Sequence, residues 1–509
     1  MRKEQAYVLL ACLIIVSLAI RFYFAFSTPY YSDDESYFHL RQIEYIKTNF
    51  IPLFYDPLSF SGRLFIFSPF FHYIFAFITY FSSSWYILKI VPNIFASTII
   101  IIIYLLAEQI TKNRAIAVFS ACIATFTPIY FVETVNALSP QSLAVPVTFL
   151  FLYCFYRIQE PHYALYSCIL LCFLVLLESS TLILLIGLLF YLFLEKIYEI
   201  PHKKEEKEFI FFGILLSSWF YLLLYKRPLL EHGINIFWQN IPPQLIDKYY
   251  YNLTIISSIY HIGIVPLFFG LTVIYYILFN NPFKKTITEP QQITLEERKK
   301  IFPIIAITLT TTILLWFKLI EWTTGMLYLS LFTVILSGYG YMLFHNYLQR
   351  TKMRGWSTFI FSIVFILFIV SSVIPVFVYS KERIALSITA KEVAFLRFLP
   401  EITPNDARIL ALVDDGNYVE YFGDRKTVTD SNFLQIRDAS QRIKDINTIF
   451  TTQSKIVATR IMNKYNATYV YISPTAKKLY GLEYLPYEDN NCFKLLYVGE
   501  VRLYESTCK

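Results

Sequence analysis

The sequence predicts an α-helical polytopic membrane protein with about 11–13 transmembrane helices and a C-terminal extracytoplasmic α/β domain. Three observations predict it. Of 509 residues, 56% are hydrophobic and 16% are charged, a more apolar balance than soluble domains carry. Eleven apolar runs, near 6–26, 86–107, 115–131, 139–157, 163–178, 181–198, 208–225, 255–280, 301–319, 325–348 and 357–379, approach or reach the roughly 17–25 residues that a membrane helix needs. Beyond Tyr379 the apolar runs shorten and charges intersperse.

The basic residues orient these runs. The net charge is +7, but Lys and Arg gather in short loops: Arg2-Lys3, Lys112 with Arg114, Lys203-Lys204-Lys207, Lys284-Lys285 with Arg298-Lys299-Lys300, and Arg350-Lys352-Arg354. This is the marking of cytoplasmic loops rather than of a nucleic-acid surface. Placing all five clusters inside leaves the N-terminus cytoplasmic and the C-terminal domain outside. A twelfth apolar stretch, Leu64 to Phe81, breaks the parity of that count. It contains Pro69 and His72, and we expect it to dip into or lie along the outer leaflet, with Ser83 outside. No small-residue cleavage site follows the first run, which is expected to remain as an uncleaved anchor.

The domain boundary is expected at 379/380. Residues 1–379 form the membrane domain, and 380–509 a soluble unit with strands near Ile409–Val413, Tyr469–Ile472 and Lys494–Val498 and a helix around Ser454–Tyr465. Val498-Gly499-Glu500-Val501 reads as the turn of a hairpin. Of the cysteines, only Cys492 and Cys508 lie in polar sequence, where a disulfide between them is one reading.

The first outer loop, 27–63, carries the chemistry. Ser32-Asp33-Asp34-Glu35 sets three carboxylates just outside a membrane helix, although the same string is a capping box with Ser32 as the N-cap. On the helix that follows, Asp34, Phe38 and Arg41 share one stripe and Glu35 and His39 another. Further on, Tyr55-Asp56-Pro57-Leu58-Ser59-Phe60-Ser61-Gly62-Arg63 adds an acid and a cation around a turn that by itself is ordinary.

With the apolar, Pro-containing stretch after it, this loop resembles the first outer loop of the GT-C glycosyltransferases, and most of all that of the oligosaccharyltransferase catalytic subunits. The membrane domain is then expected to be GT-C-like. Pro128–Pro146 is similar to the family's second outer motif, whose acids help to bind a divalent metal; here Ser139-Pro140-Gln141 stands in their place, and Glu133 is the nearest carboxylate. Leu412–Phe433 looks like the acceptor-reading segment, of whose signature Asp414 and Gly416 remain.

The resemblance implies transfer of a sugar or glycan from a polyprenyl-phosphate or polyprenyl-diphosphate donor to a protein or glycan acceptor on the outer face. Such chemistry needs a carboxylate to orient or deprotonate the acceptor and positive charge for the departing phosphate. Asp34 is the expected catalytic carboxylate, with Asp33 or Glu35 as partner. Asp33 and Asp34 are the expected ligands of Mg or Mn, against a metal-independent mechanism with one acidic base. Arg41, Arg63 and Arg383 are expected at the donor phosphate, and Asp414, Asp415 and Gly416 at the acceptor. Single-sugar transfer to a lipid-linked glycan or polymer is the alternative within the superfamily, and a non-catalytic member is a second. A transporter is the alternative from another class, although only 14 glycines and no echo between halves argue against it.

Overall fold

The computed structural model describes every residue except 83, 201–202, 234–240, 280–294, 490 and 509. Ser83, Lys284 and Lys285, on which parts of the orientation argument rest, therefore lie outside the described residues. In chain order the helices of the membrane part are α1 (Lys3–Ala25), α2 (Glu35–Asn49), α3 (Phe70–Phe81), α4 (Ile87–Ser97), α5 (Ile99–Thr111), α6 (Arg114–Thr125), α7 (Pro128–Val135), α8 (Gln141–Phe155), α9 (Pro161–Leu177), α10 (Thr181–Ile197), α11 (Lys204–Leu224), α12 (Lys226–His232), α13 (Pro243–Tyr249), α14 (Ile255–Ile262), α15 (Ile264–Phe279), α16 (Leu295–Trp316), α17 (Trp322–Arg350), α18 (Ser357–Phe368) and α19 (Ile374–Ala385).

Each of the eleven apolar runs is a helix or a bent pair, and the chain is a multi-pass membrane protein. Among the described residues, six helical segments are long and apolar enough to cross unaided, or eight when the bent pairs α6–α7 (50°) and α14–α15 (117°) each count as one span. The break in the first pair falls where Pro128 starts a new helix and that in the second at Gly263, whose φ of +102° lies in the region glycine favours. α17 is apolar all round and buried from Gly325 to Gly340, the mark of a helix enclosed by others. The stretch that broke the parity forms α3, only 12 residues or about 18 Å long, too short for a bilayer core of about 30 Å. It packs beside α2: the Lys47 ammonium donates to the Thr79 carbonyl at 3.2 Å and the Tyr73 hydroxyl to the Phe50 carbonyl at 3.1 Å.

The C-terminal domain contributes α20 (Ala390–Ile402), α21 (Gly416–Gly423), α22 (Ala439–Thr451), α23 (Lys455–Tyr465) and α24 (Pro474–Tyr480). The first loop holds a two-stranded ribbon, β1 (Tyr55–Asp56) with β2 (Arg63–Leu64), and the domain a five-stranded sheet of β3 (Arg408–Leu410), β4 (Lys426–Thr427), β5 (Tyr469–Ile472), β6 (Phe493–Val498) and β7 (Arg502–Ser506), in the order β4-β3-β5-β7-β6. β4, β3 and β5 run parallel, and β6–β7 is the antiparallel hairpin the sequence suggests. Cys492 and Cys508 form a disulfide. The expected boundary at 379 falls inside α19, which carries its helix on to Ala385. Tyr31, Tyr37, Phe71 and Phe75 of the loop region share one buried cluster with Leu396, Val419 and Tyr471 of the domain, so the sheet and α21 rest on α2 and α3.

Candidate functional site

The acidic string does not cap its helix as expected. Ser32 turns away, its hydroxyl accepting from the Asn136 amide at 2.8 Å and meeting the Ser387 hydroxyl at 3.2 Å. Asp33 replaces it, accepting from the Ser36 amide N–H at 2.8 Å and from the Ser36 hydroxyl, and α2 starts at Glu35. The root of the loop is tied down by Lys89 on α4. Its ammonium donates to the carbonyls of Ala25, Thr28 and Tyr30 and to Asn136 Oδ1, at 2.8–3.1 Å.

With one oxygen committed to the cap, Asp33 turns the other to Arg383 of α19 at 3.1 Å; the same guanidinium nitrogen reaches Glu133 of α7 at 3.2 Å. Asp34 instead meets the C-terminal domain: Asn417 donates to it at 2.8 Å and to the Ser431 hydroxyl at 2.9 Å. Asn417 stands in the first turn of α21, which starts tight against a neighbouring segment. A Cβ at Gly416 would lie 2.5 Å from the Thr429 carbonyl oxygen. Burial and the nearby charge of Asp414 hold the Asp34 carboxyl well above the usual carboxylate range, against the opposing hydrogen bonds of Asn417 and Ser431.

Glu35 points elsewhere in the same recess. Its side chain is 64% accessible. Desolvation by the protein packed near it, with repulsion from Glu321, Asp33 and Glu178, pushes it up to about 8. Glu178 ends α9 and accepts from Gln141 at 3.1 Å; burial pushes it up to about 7. Glu321, the residue before α17, accepts from the Thr324 hydroxyl at 3.3 Å and is raised to about 7 by burial and by Glu133. His39, one turn after Glu35, places its Nε2 3.9 Å from that carboxylate and its Nδ1 2.8 Å from Nε2 of His72. Burial lowers His39 to about 4, so the ring is neutral near pH 7.

The start of α2 with the residues before it, the last turn of α7, the end of α9 and the start of α17 thus bring five carboxylates, Asp33, Glu35, Glu133, Glu178 and Glu321, together with Arg383 in one recess. Asp34 stands at its rim beneath the C-terminal domain. Glu133 is named from the sequence as the carboxylate nearest the second motif, whereas Glu178 and Glu321 join it only in the fold. Their position at helix ends was the available signal; for Asn417 and for the His39–His72 pair, 33 residues apart, no local signal existed. Next to Arg383 is a cavity of about 430 Å³ lined by Val132, Tyr260, His261, Tyr379, Glu382 and Leu386.

Two expected phosphate ligands are elsewhere. Arg41 is buried between Asp56 and Glu420, the latter at 2.7 Å. Arg63 is buried against Asp430 at 3.4 Å and the Ser59 hydroxyl at 2.7 Å, and lies between the rings of Phe60 and Phe65. Both guanidiniums join the first loop to the C-terminal domain, and their charge is neutralised within the protein. The expected acceptor residues divide similarly. Asp414 is half exposed, paired with Lys248 of α13 and near Asp34; Asp415 is buried in the domain, and Gly416 serves packing.

A divalent metal does not fit this donor set. Both oxygens of Asp33 are engaged, Glu133 is held by Arg383, and among the described residues no three His, Cys, Asp or Glu side chains are grouped to hold an ion. Ser139 and Gln141 bond each other, and Gln141 bonds Glu178, so the second motif brings amide and hydroxyl groups where acids would stand.

Solved structures share the fold. The Archaeoglobus fulgidus oligosaccharyltransferase, tethered with an acceptor peptide containing the NVT sequon, superposes with a TM-score of 0.68 at 14% identity, covering 94% of this chain and 70% of that one. A second Archaeoglobus fulgidus structure, the oligosaccharyltransferase AglB in complex with an inhibitory peptide and a dolichol-phosphate, gives 0.67 at 13%, covering 94% and 71%. The chain has the GT-C fold. ArnT from Cupriavidus metallidurans, bound to undecaprenyl phosphate, shares this GT-C architecture with a TM-score of 0.53 at 11% identity, over 97% of both chains. Residues 67–223 match the family model of dolichyl-phosphate-mannose-protein mannosyltransferases. No curated protein sequence matches the chain. In the GT-C frame, the carboxylates above lie at the end of the bundle that carries the C-terminal domain.

Proposed function

We propose that this chain is a membrane glycosyltransferase that moves a sugar or glycan from a polyprenyl-phosphate or polyprenyl-diphosphate carrier to a protein or glycan acceptor. The observation that carries the reading is the meeting of Asp34 and Glu35 with four further carboxylates, Asp33, Glu133, Glu178 and Glu321, and with Arg383 at the seam between the bundle and the C-terminal domain. The distribution of basic residues among the loops favours a cytoplasmic N-terminus, with this seam on the outer side of the membrane.

Asp34 is the base that takes the acceptor's proton, or orients its nucleophilic oxygen or nitrogen. A carboxyl held above its ordinary range is a better proton acceptor when ionised than a solvated one. Asn417 holds its geometry, and Asp414 flanks the path by which an acceptor reaches it from the C-terminal domain. Arg383 supplies the positive charge for the departing phosphate. It edges the 430 Å³ cavity, whose aromatic and apolar walls suit the first isoprene units of a lipid carrier. Glu35, with neutral His39 behind it, carries a proton near neutral pH and serves the sugar hydroxyls as a hydrogen-bond donor.

Single-sugar transfer is the second reading, favoured by one observation: Ser139, Pro140 and Gln141 stand where the second outer motif is expected to carry acids. The test compares membranes from cells with and without the gene for glycoprotein mass and for lipid-linked glycans. Loss of a protein-borne glycan supports transfer to protein, and a change confined to lipid-linked glycans supports the second reading. Profiles that Asp34→Ala, correctly inserted, leaves like wild type would refute catalysis at this seam.

A further inference from the structure

We propose that Arg383 is a built-in cation that takes the bridging position of a divalent metal between the first two loop motifs, so that the chain works without one. The inference rests on the reading above for the location of the chemistry, not for its outcome. One guanidinium nitrogen lies 3.1 Å from Asp33 and 3.2 Å from Glu133, joining the first acidic loop to α7. A bridging Mg or Mn ion would require further oxygen ligands around it, and among the described residues the surrounding groups do not supply them. The second oxygen of Asp33 is fixed by Ser36, and the turn after α7 offers Ser139 and Gln141, which are engaged with each other and with Glu178.

A guanidinium is always charged and planar, and it holds two carboxylates without needing a complete oxygen shell. Asp33 is thereby kept oriented, which in turn sets the start of α2 and the position of Asp34. The Nε atom of Arg383 is buried without a hydrogen-bond partner among the described residues, and the side chain lines the cavity assigned to the lipid carrier. A single cation can therefore brace the acidic loop and face the donor, two duties that elsewhere fall to separate groups.

Mn²⁺ binding to the purified full chain in detergent, followed by electron paramagnetic resonance, tests the inference whether or not the protein transfers sugar. Wild type and Arg383→Lys are expected to show no saturable site, whereas Arg383→Met, which frees both carboxylates, binds Mn²⁺ at least about tenfold more tightly and loses that gain when combined with Asp33→Asn. An Asp33-dependent Mn²⁺ site in wild type would overturn the inference even if the Met variant failed to fold. So would a folded Met variant as silent as wild type. A protein that passes this test but lacks transferase activity would refute the proposed function alone.

Discussion

The two halves of the first loop draw on the same residue types and end in opposite roles. Residues 32–41 offer three acids and an arginine at a helix start, and residues 55–63 one acid and an arginine around a turn. In the second half, Asp56 pairs with Arg41, and Arg63 with Asp430 and the Asn432 carbonyl; Ser61 bonds the Thr427 carbonyl, and Gln435 exchanges hydrogen bonds with the backbone of Ile66. Phe60, Ser61 and Gly62 all take positive φ so that this turn can clasp the domain. In the first half the acids outnumber their counter-charges and face a solvated recess. A buried charge with a full set of partners holds a structure together; one left with spare lone pairs beside space is free to react.

The sharpest way to break that comparison is to remove one acid from the first half. Asp34→Ala is expected to lower transfer by about 10²-fold or more while thermal unfolding in detergent stays near wild type; a variant that unfolds instead would move Asp34 into the structural half. Removing the cation of the second half should do the reverse. Arg63→Ala leaves Asp430 buried without its cation, a loss of about 3–5 kcal/mol, read as a lower denaturation midpoint. If the loss appears in KM for the lipid donor with the midpoint unchanged, Arg63 belongs to the site after all.

Asn417→Ala sharpens the contrast from the domain side. Losing a hydrogen bond to a carboxylate costs about 1.5–3 kcal/mol of positioning, so transfer should fall roughly tenfold or more. Because that bond favours the ionised form of Asp34, its loss should also carry the acid limb of the pH–rate profile to higher pH. An unchanged limb would exclude Asp34 as the titrating base.

The smallest effect concerns pH and stability. Glu178 and Glu321 rise from 4.5 to about 7 on folding, so the folded protein binds more protons than the unfolded chain between those values. Their contribution is highest below pH 4.5 and is lost as pH rises to about 7. Glu178→Gln and Glu321→Gln should flatten the fall in denaturation midpoint across that window. A midpoint that rises with pH in wild type contradicts the shifts.

Much of the fold was legible because a bilayer imposes a coarse rule. Each apolar run had to become a helix, and each strand read beyond Tyr379 matches an observed one to within a few residues. The short, Pro-led stretch that became α3 was legible for the same reason. The site was only half legible. Asp33, Asp34 and Glu35 stood out as charges beside a membrane helix, and Arg383 as a cation at the far end of the last one. Arg41 and Arg63 looked equally suited to phosphate, because no local pattern reveals that Glu420 and Asp430, more than 350 residues away, neutralise them.

The sequence by itself determined that this chain spans a membrane, that its acids gather at helix ends and that a mixed α/β unit follows, because transfer free energy and strand periodicity act over a few residues at a time. Only the tertiary structure decided which acids share a recess, which arginines are already satisfied and that Asn417 reaches Asp34. Those outcomes depend on distances across the fold, where Coulomb energy and desolvation are set by whatever packing brings near.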